Sequence, residues 1–319
     1  MKPVQAWEAD FAITSDLAGQ LIAEQFPSLR VGHLELLGTG WDNTAYIADG
    51  NIVFRFPRRD VAARLIQTEA RVLPMLAPHL PQPIPLPQFV GSPSGNYPYP
   101  FAGYPLIRGI TACRVDLSME ERCRLAAPLG EFLRCLHGVP VTDEQRVEGP
   151  GDEIRRTDLL YRLEQLRQRV WRLGSMLEAR AISGEEVISL ATVLANAPVS
   201  TVTSCWVHGD LYVRHLLVNT YNELAGVIDW GDVHLGDRAL DLSIAYSFLP
   251  ESAHVSFFKA YGEVDVSSHQ RAHFRSLYYG AVLIEYGVDV QDRALEQAGV
   301  FALKALATTT SPTTMADRD

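Results

Sequence analysis

The spacing of apolar residues changes character as the chain proceeds. From Asp16 to Phe26, Leu17, Leu21 and Ile22 recur at helical spacing, with Ser15 or Asp16 available as the N-cap. The stretch HLELLGTGWDNTAYIADGNIVFRFPRR then breaks into short apolar runs divided by GTG and DG. That punctuation predicts antiparallel strands near 33–38, 43–48 and 51–56, joined by tight turns. From Val61 to Leu76 the apolar positions Ala62, Leu65, Ile66, Val72, Leu73 and Leu76 return to three-and-four spacing, which predicts a helix packed on that sheet.

The run PHLPQPIPLPQFVGSPSGNYPYP is too rich in proline for regular structure and predicts an extended connection or boundary. FAGYPLI beyond it reads as one more strand, with IRGIT as its exit. From Ser118 helical signals dominate: 119–138, where Pro128 marks either a kink or the true start, then 156–173, 184–196 and several helices from 238 onward. A β-rich first third and a helical remainder predict an α/β (α+β) protein of two lobes with a cleft between them. The tail TTTSPTTMADRD contains no core residues and is expected to be disordered.

Composition narrows the function. The chain has 319 residues, 28 Lys and Arg against 38 Asp and Glu, and 47% hydrophobic residues. This is an ordinary globular balance, and its net charge of −10 is the opposite of what a duplex-DNA binder carries. No nucleic-acid partner is expected, and an acidic surface suits a cationic ligand. Cys113, Cys123, Cys135 and Cys205 show no CxxC or Cys/His ligand spacing, so reduced thiols in a cytoplasmic protein are expected. No stretch reaches the ~18 apolar residues of a membrane span. No obligate protein partner is evident.

Acids and histidines interrupt apolar strands between Val207 and Asp241, an expensive arrangement that local folding does not require. HGD at 208–210 and IDWGD at 228–232 stand either side of LLV and AGVI, read as two strands turning at Tyr221–Glu223. Such a hairpin brings Asp210 and Asp229 to the same end. Paired carboxylates have a clear use in phosphoryl transfer: one orients or deprotonates the attacking hydroxyl, and the other holds Mg²⁺ against the phosphates.

HGDLYVRHLLV followed by VIDWGD resembles the catalytic loop and metal motif of the aminoglycoside phosphotransferase family, which includes macrolide kinases. The resemblance implies a protein-kinase-like bilobal fold, with a nucleotide-binding lobe at 1–104, a linker at 105–109, a catalytic and substrate-binding lobe at 110–310, and a tail at 311–319. It implies an ATP- or GTP-dependent phosphotransferase acting on an alcohol group, with Asp210 as catalytic base or hydroxyl-orienting residue and Asp229 as the principal magnesium ligand. His215 stands where protein kinases place a metal-binding Asn. Mg²⁺ prefers oxygen, so this histidine either ligates it weakly or holds a phosphate or a water.

The same resemblance extends to the first third. VFRFPRR and EARVL place Arg55 and Glu69 where protein kinases keep a Lys–Glu pair that positions phosphates. Arginine keeps the charge while changing the fork geometry. Gly38, Gly40 and Asn43 of GTGWDN lie at the phosphate-loop position without forming GxGxxG. Pro105 and Ile107 of YPLIRG match the linker whose backbone binds the purine. Asp232, Glu285, Tyr286 and Asp289 are the substrate candidates, with Tyr278 and Tyr279 beside them: carboxylates suit ammonium groups, and tyrosines suit sugars or a macrolactone. Asp237 and Asp241 are expected to cap helices or fix the catalytic loop. Antibiotic inactivation is the leading expectation. The alternatives are a metabolic kinase for choline, homoserine or a sugar, and a nucleotide-binding pseudokinase scaffold.

Overall fold

The computed structural model describes residues 10–40, 42–198 and 202–307, with side chains through 304. Trp41 of GTGWDN and the tail at 311–319 lie outside the described residues. The chain divides into two compact units: residues 1–108 with 227–233, and residues 109–226 with 234–319. The segment Val227–Val233, which holds Asp229 and Asp232, therefore belongs with the first unit, whereas the sequence division had left it with the second.

In the first unit, helix α1 (Ser15–Gln25) is capped by Thr14, whose hydroxyl accepts the Leu17 amide at 3.3 Å. The cap thus lies one residue before Ser15, since the position preceding the first helical turn is the one whose side chain reaches its orphan amides. Strands β1 (Leu34–Thr39), β2 (Asn43–Ala48) and β3 (Ile52–Pro57) form the expected meander. Asp49 and Gly50 turn the second hairpin, both at positive φ, which suits the primed turns of tight hairpins. Helix α2 (Asp60–Leu76) follows, then β4 (Phe89–Gly91) and β5 (Phe101–Pro105), and the sheet order is β1-β2-β3-β5-β4. Strand β4 lies inside the proline-rich run and corrects the expectation of no regular structure there: Phe89, Val90 and Gly91 are consecutive non-proline residues, free to pair with β5.

Alternation along β3 decides what each face carries. Phe54 and Phe56 enter a core with Leu21 and Ile22 of α1, Tyr97 and Phe101. Val53 packs on the other face with Ile66 of α2, Ala102 and Tyr104, and Arg55 shares that face. A side chain added at Gly103 would fall 2.4 Å from the Phe54 ring, so β5 must carry glycine where this ring lies against it.

The second unit holds β6 (Ile110–Thr111), β7 (Cys205–Val207), β8 (Leu216–Val218), β9 (Leu224–Val227) up to Gly226, and β10 (His234–Gly236), in sheets ordered β6-β8-β9 and β10-β7. Helix α3 (Met119–His137) begins at a capping box of Ser118 and Glu121, so Pro128 lies within it and does not start it. Helices α4 (Asp143–Glu148), α5 (Leu159–Glu178), α6 (Gly184–Ala195), α7 (Ala239–Phe248), α8 (Glu251–Tyr261), α9 (Val266–Asp289) and α10 (Arg293–Ala307) complete the unit. Its main core joins α5, α6 and α9 through Leu166, Leu173, Ala191, Phe274, Leu277 and Ile284. Among the described residues, no helix is long and apolar enough to cross a membrane.

Candidate active-site residues

In the first unit, β3 presents Arg55 and α2 presents Glu69 on one face of the sheet. Arg55 Nη1 donates to Glu69 Oε1 at 2.9 Å and to Oε2 at 3.3 Å, while Nη2 donates to Asp229 Oδ1 at 3.1 Å. The Glu69 side chain is wholly buried, and that of Asp229 is 49% exposed. Burial pushes the Glu69 carboxyl up to about 7; Arg55 opposes this, and Asp229 and Asp232 add to it. For Arg55, Glu69 and Asp229 outweigh burial and raise the guanidinium further, so it remains a cation.

Asp229 itself sits at φ +66°, a left-handed conformation uncommon outside glycine. The following Trp230 is fully buried and donates its indole N–H to the Val227 carbonyl at 2.9 Å, which anchors the segment around it. Asp232 is half-buried.

Gly38 and Gly40 flank the end of β1. The Gly40 amide donates to the Asn43 carbonyl at 2.9 Å, and Arg58 Nη1 donates to the Gly40 carbonyl at 2.6 Å. A Cβ at Gly38 would meet nothing within 4 Å, so local packing does not demand glycine there. Oδ1 of Asn43 is buried without a hydrogen-bond partner among the described residues. Pro105 ends β5, and Leu106 donates its amide to Asn51 at 2.7 Å. The Ile107 amide makes no hydrogen bond among the described residues.

In the second unit, Asp210 follows Gly209, whose φ of +83° lets the chain turn sharply after β7. The wholly buried Asp241 of α7 ties this turn down, accepting the His208 amide at 2.7 Å and the Gly209 amide at 2.9 Å. His137 lies 3.1 Å from the same carboxylate. Burial alone would raise the Asp241 carboxyl, but His137 and His208 hold it below the usual range. Asp237 accepts the Ala239 amide at 2.9 Å at the start of α7 and pairs with buried Arg271.

His215 closes a single 3₁₀ turn, Val213–His215, and is buried against Tyr212. Its Nδ1 lies 2.8 Å from the Asp210 carbonyl, an acceptor, so Nδ1 carries the proton and a neutral ring keeps its lone pair on Nε2. The Asp210 carboxylate accepts the Tyr279 hydroxyl on Oδ1 at 2.5 Å, with Arg275 Nη2 3.6 Å away. Arg275 gave no sequence signal, because its relation to Asp210 exists only in the folded chain.

The substrate candidates on α9 are less open than their chemistry suggested. Glu285 is gripped by Arg169 at 2.5 Å and Arg172 at 2.8 Å, and these cations outweigh burial to hold its carboxyl below the usual range. Tyr286 is half-buried, and Asp289 is exposed at the helix end. Tyr278 is committed to Arg162 and Gln165 at 2.9 Å each.

Among the described residues, no group of three or more His, Cys, Asp or Glu side chains is arranged to hold a metal ion. Mg²⁺ does not require one, since it usually takes one or two carboxylates and completes its shell with water and phosphate oxygens. A half-exposed carboxylate such as Asp229 fits that donor set. The imidazole of His215 fits it less well.

A family model described as the phosphotransferase enzyme family matches residues 33–274. Solved structures with a similar fold include APH(2")-IIia in complex with GDP and kanamycin, at 24% identity and TM-score 0.68, covering 92% of this chain and 99% of that one. A macrolide 2'-phosphotransferase type I is 22% identical with TM-score 0.60, covering 92% and 98%. Macrolide 2'-phosphotransferase MphH from Brachybacterium faecium is 23% identical with TM-score 0.57, covering 91% and 97%.

Proposed function

Because the chain belongs to the phosphotransferase enzyme family, we propose that it transfers the γ-phosphate of ATP or GTP to a hydroxyl of a small molecule, with an aminoglycoside or a macrolide as the leading acceptor class. The observation that carries this reading is the largely covered guanidinium of Arg55, fixed by Glu69 and reaching Asp229. A fixed cation beside a half-exposed carboxylate suits a polyphosphate and its counter-ion.

In this reading, Arg55 binds phosphate oxygens and Glu69 holds its fork in place. The space at Gly38 and the unpartnered Ile107 amide suit a phosphate oxygen and a purine edge respectively. Asp229 would hold Mg²⁺, with His215 a weaker second candidate; when bound, the ion neutralises charge on the phosphates. Asp210 orients the acceptor hydroxyl and takes its proton. The hydroxyl oxygen bonds to the γ-phosphorus, the bond from that phosphorus to the β-phosphate bridging oxygen breaks, and ADP or GDP leaves.

The acceptor class is supported by the likeness to a kanamycin-bound structure and to macrolide enzymes. Since Arg169 and Arg172 already occupy Glu285, an aminoglycoside ammonium at that position would have to displace them. The test is phosphorylation of a panel of aminoglycosides, macrolides, choline, homoserine and sugars with each nucleotide. A phosphorylated antibiotic supports the proposal. Nucleotide binding with no acceptor phosphorylated would leave a scaffold as the better account.

A further inference from the structure

The backbone of Asp210 is fixed from two sides. Its amide donates to His208 Nδ1 at 3.3 Å, and its carbonyl accepts from His215 at 2.8 Å. Neither bond fixes the carboxylate, because the terminal torsion of aspartate is broad and roughly two-fold. The carboxylate is held by α9. Tyr279 and Arg275 are four residues apart on that helix and so lie on one face. Tyr279 donates its hydroxyl to Oδ1 at 2.5 Å, and Arg275 Nη2 stands 3.6 Å from the same oxygen.

The other oxygen is treated differently. Oδ2 makes no hydrogen bond among the described residues, and the Asp210 side chain keeps 21% of its surface. Tyr279 is itself well seated: its ring lies 5.1 Å from Tyr212, and the Arg275 guanidinium sits 4.5 Å from its centroid. The Arg275 guanidinium makes no hydrogen bond among the described residues, although its side chain is only 9% exposed. It lies against the Asp210 carboxylate and the rings of Tyr278 and Tyr279. Burial first, and then the Asp210 charge, push the Tyr279 phenol well above its ordinary range, so it remains a donor at any working pH.

Resting on the reading of Asp210 as the group that takes the acceptor's proton, we infer that Tyr279, backed by Arg275, is the positioning residue of this reaction. It fixes the carboxylate through Oδ1 and leaves Oδ2 for the acceptor hydroxyl. One oxygen anchored by a rigid helix and one left open keep the base in a single rotamer, which suits a transfer that depends on placement.

The test is a kinetic cycle of Tyr279→Phe, Asp210→Asn and the double variant. It is read on the acceptor found in the panel and on acceptor-free hydrolysis of Mg·ATP and Mg·GTP. Tyr279→Phe removes one oxygen and should lower kcat roughly ten-fold or more, with the nucleotide KM within about two-fold of wild type. In the Asp210→Asn background, the same change should lower kcat by less than about two-fold, because a residue acting through another has nothing left to act on. A wild-type kcat in Tyr279→Phe, or an equal fold-loss in both backgrounds, would overturn the inference. Wild-type turnover in Asp210→Asn would instead remove the reading of Asp210 on which it rests. A crystal structure provides a second check: the Tyr279 hydroxyl should contact Asp210 in the wild type, and the carboxylate should turn in Tyr279→Phe. A Tyr279 hydroxyl bonded elsewhere contradicts the inference.

Discussion

The Asp241 carboxylate accepts the amide of His208, thirty-three residues earlier, at 2.7 Å, although neither side chain meets solvent. This bond and its companion to Gly209 hold the turn that carries Asp210. Asp241→Ala would leave two buried amides and His137 without their acceptor. Removing one partner from such a network costs about 3–5 kcal/mol, so urea unfolding should show a loss of that order. Wild-type stability with activity abolished would point instead to direct chemistry at Asp241.

Arg55 and Glu69 should behave as one unit. Arg55→Ala should raise the nucleotide KM, and Glu69→Ala should give a smaller defect of the same kind. The double variant should then show a coupling of about 0.5–3 kcal/mol in kcat/KM for the nucleotide. Strict additivity would mean that the buried pair does not hold the phosphate-binding cation.

Asp229→Ala should weaken nucleotide binding in the presence of Mg²⁺ far more than in its absence, because the carboxylate is read as the ion's protein ligand. Calorimetry with and without Mg²⁺ measures the difference. An unchanged Mg²⁺-dependent affinity would remove Asp229 from that role.

A separate prediction concerns acid stability. His254, His269 and His273 gather around Tyr246, with the His273 ring 3.7 Å from it and His269 hydrogen-bonded to its hydroxyl. Burial lowers all three. His254 and His269 depress His273 further, to about 3, while Glu251 and Asp265 oppose the shift at His254 and His269, and Arg238 adds to it at His269. A histidine whose folded pKa lies below its unfolded value gives stability above pH ~6.5 that is lost as pH falls toward the folded value. At pH 5, His273 alone accounts for a loss of about 2 kcal/mol. Melting temperatures across pH 5–7.5 should fall toward acid in the wild type and less steeply in His273→Leu. Parallel curves would contradict this assignment.

Much of the first unit was legible because its signals are local. Short apolar runs divided by GTG and DG marked the meander, and helical spacing from Ala62 to Leu76 marked α2. The Arg55–Glu69 pair was expected from the family resemblance of VFRFPRR and EARVL, and strand alternation with helix spacing places both on one face. What escaped depends on distant contacts. Tyr279 meets Asp210 across sixty-nine residues, and Arg169 meets Glu285 across one hundred and sixteen. Glu285 therefore read as an open carboxylate, since nothing in its neighbourhood along α9 announces the arginines that fill it. Strand β4 was hidden by the prolines around it, whose bias masks a three-residue pairing that only β5 creates.

In the proposed phosphoryl transfer, Asp210 takes the proton of the acceptor hydroxyl. The most direct measurement is kcat of Asp210→Asn beside the nucleotide affinity of the same variant. We expect a kcat at least roughly one hundred-fold below wild type with nucleotide binding nearly unchanged. Turnover close to wild type in that variant would contradict it.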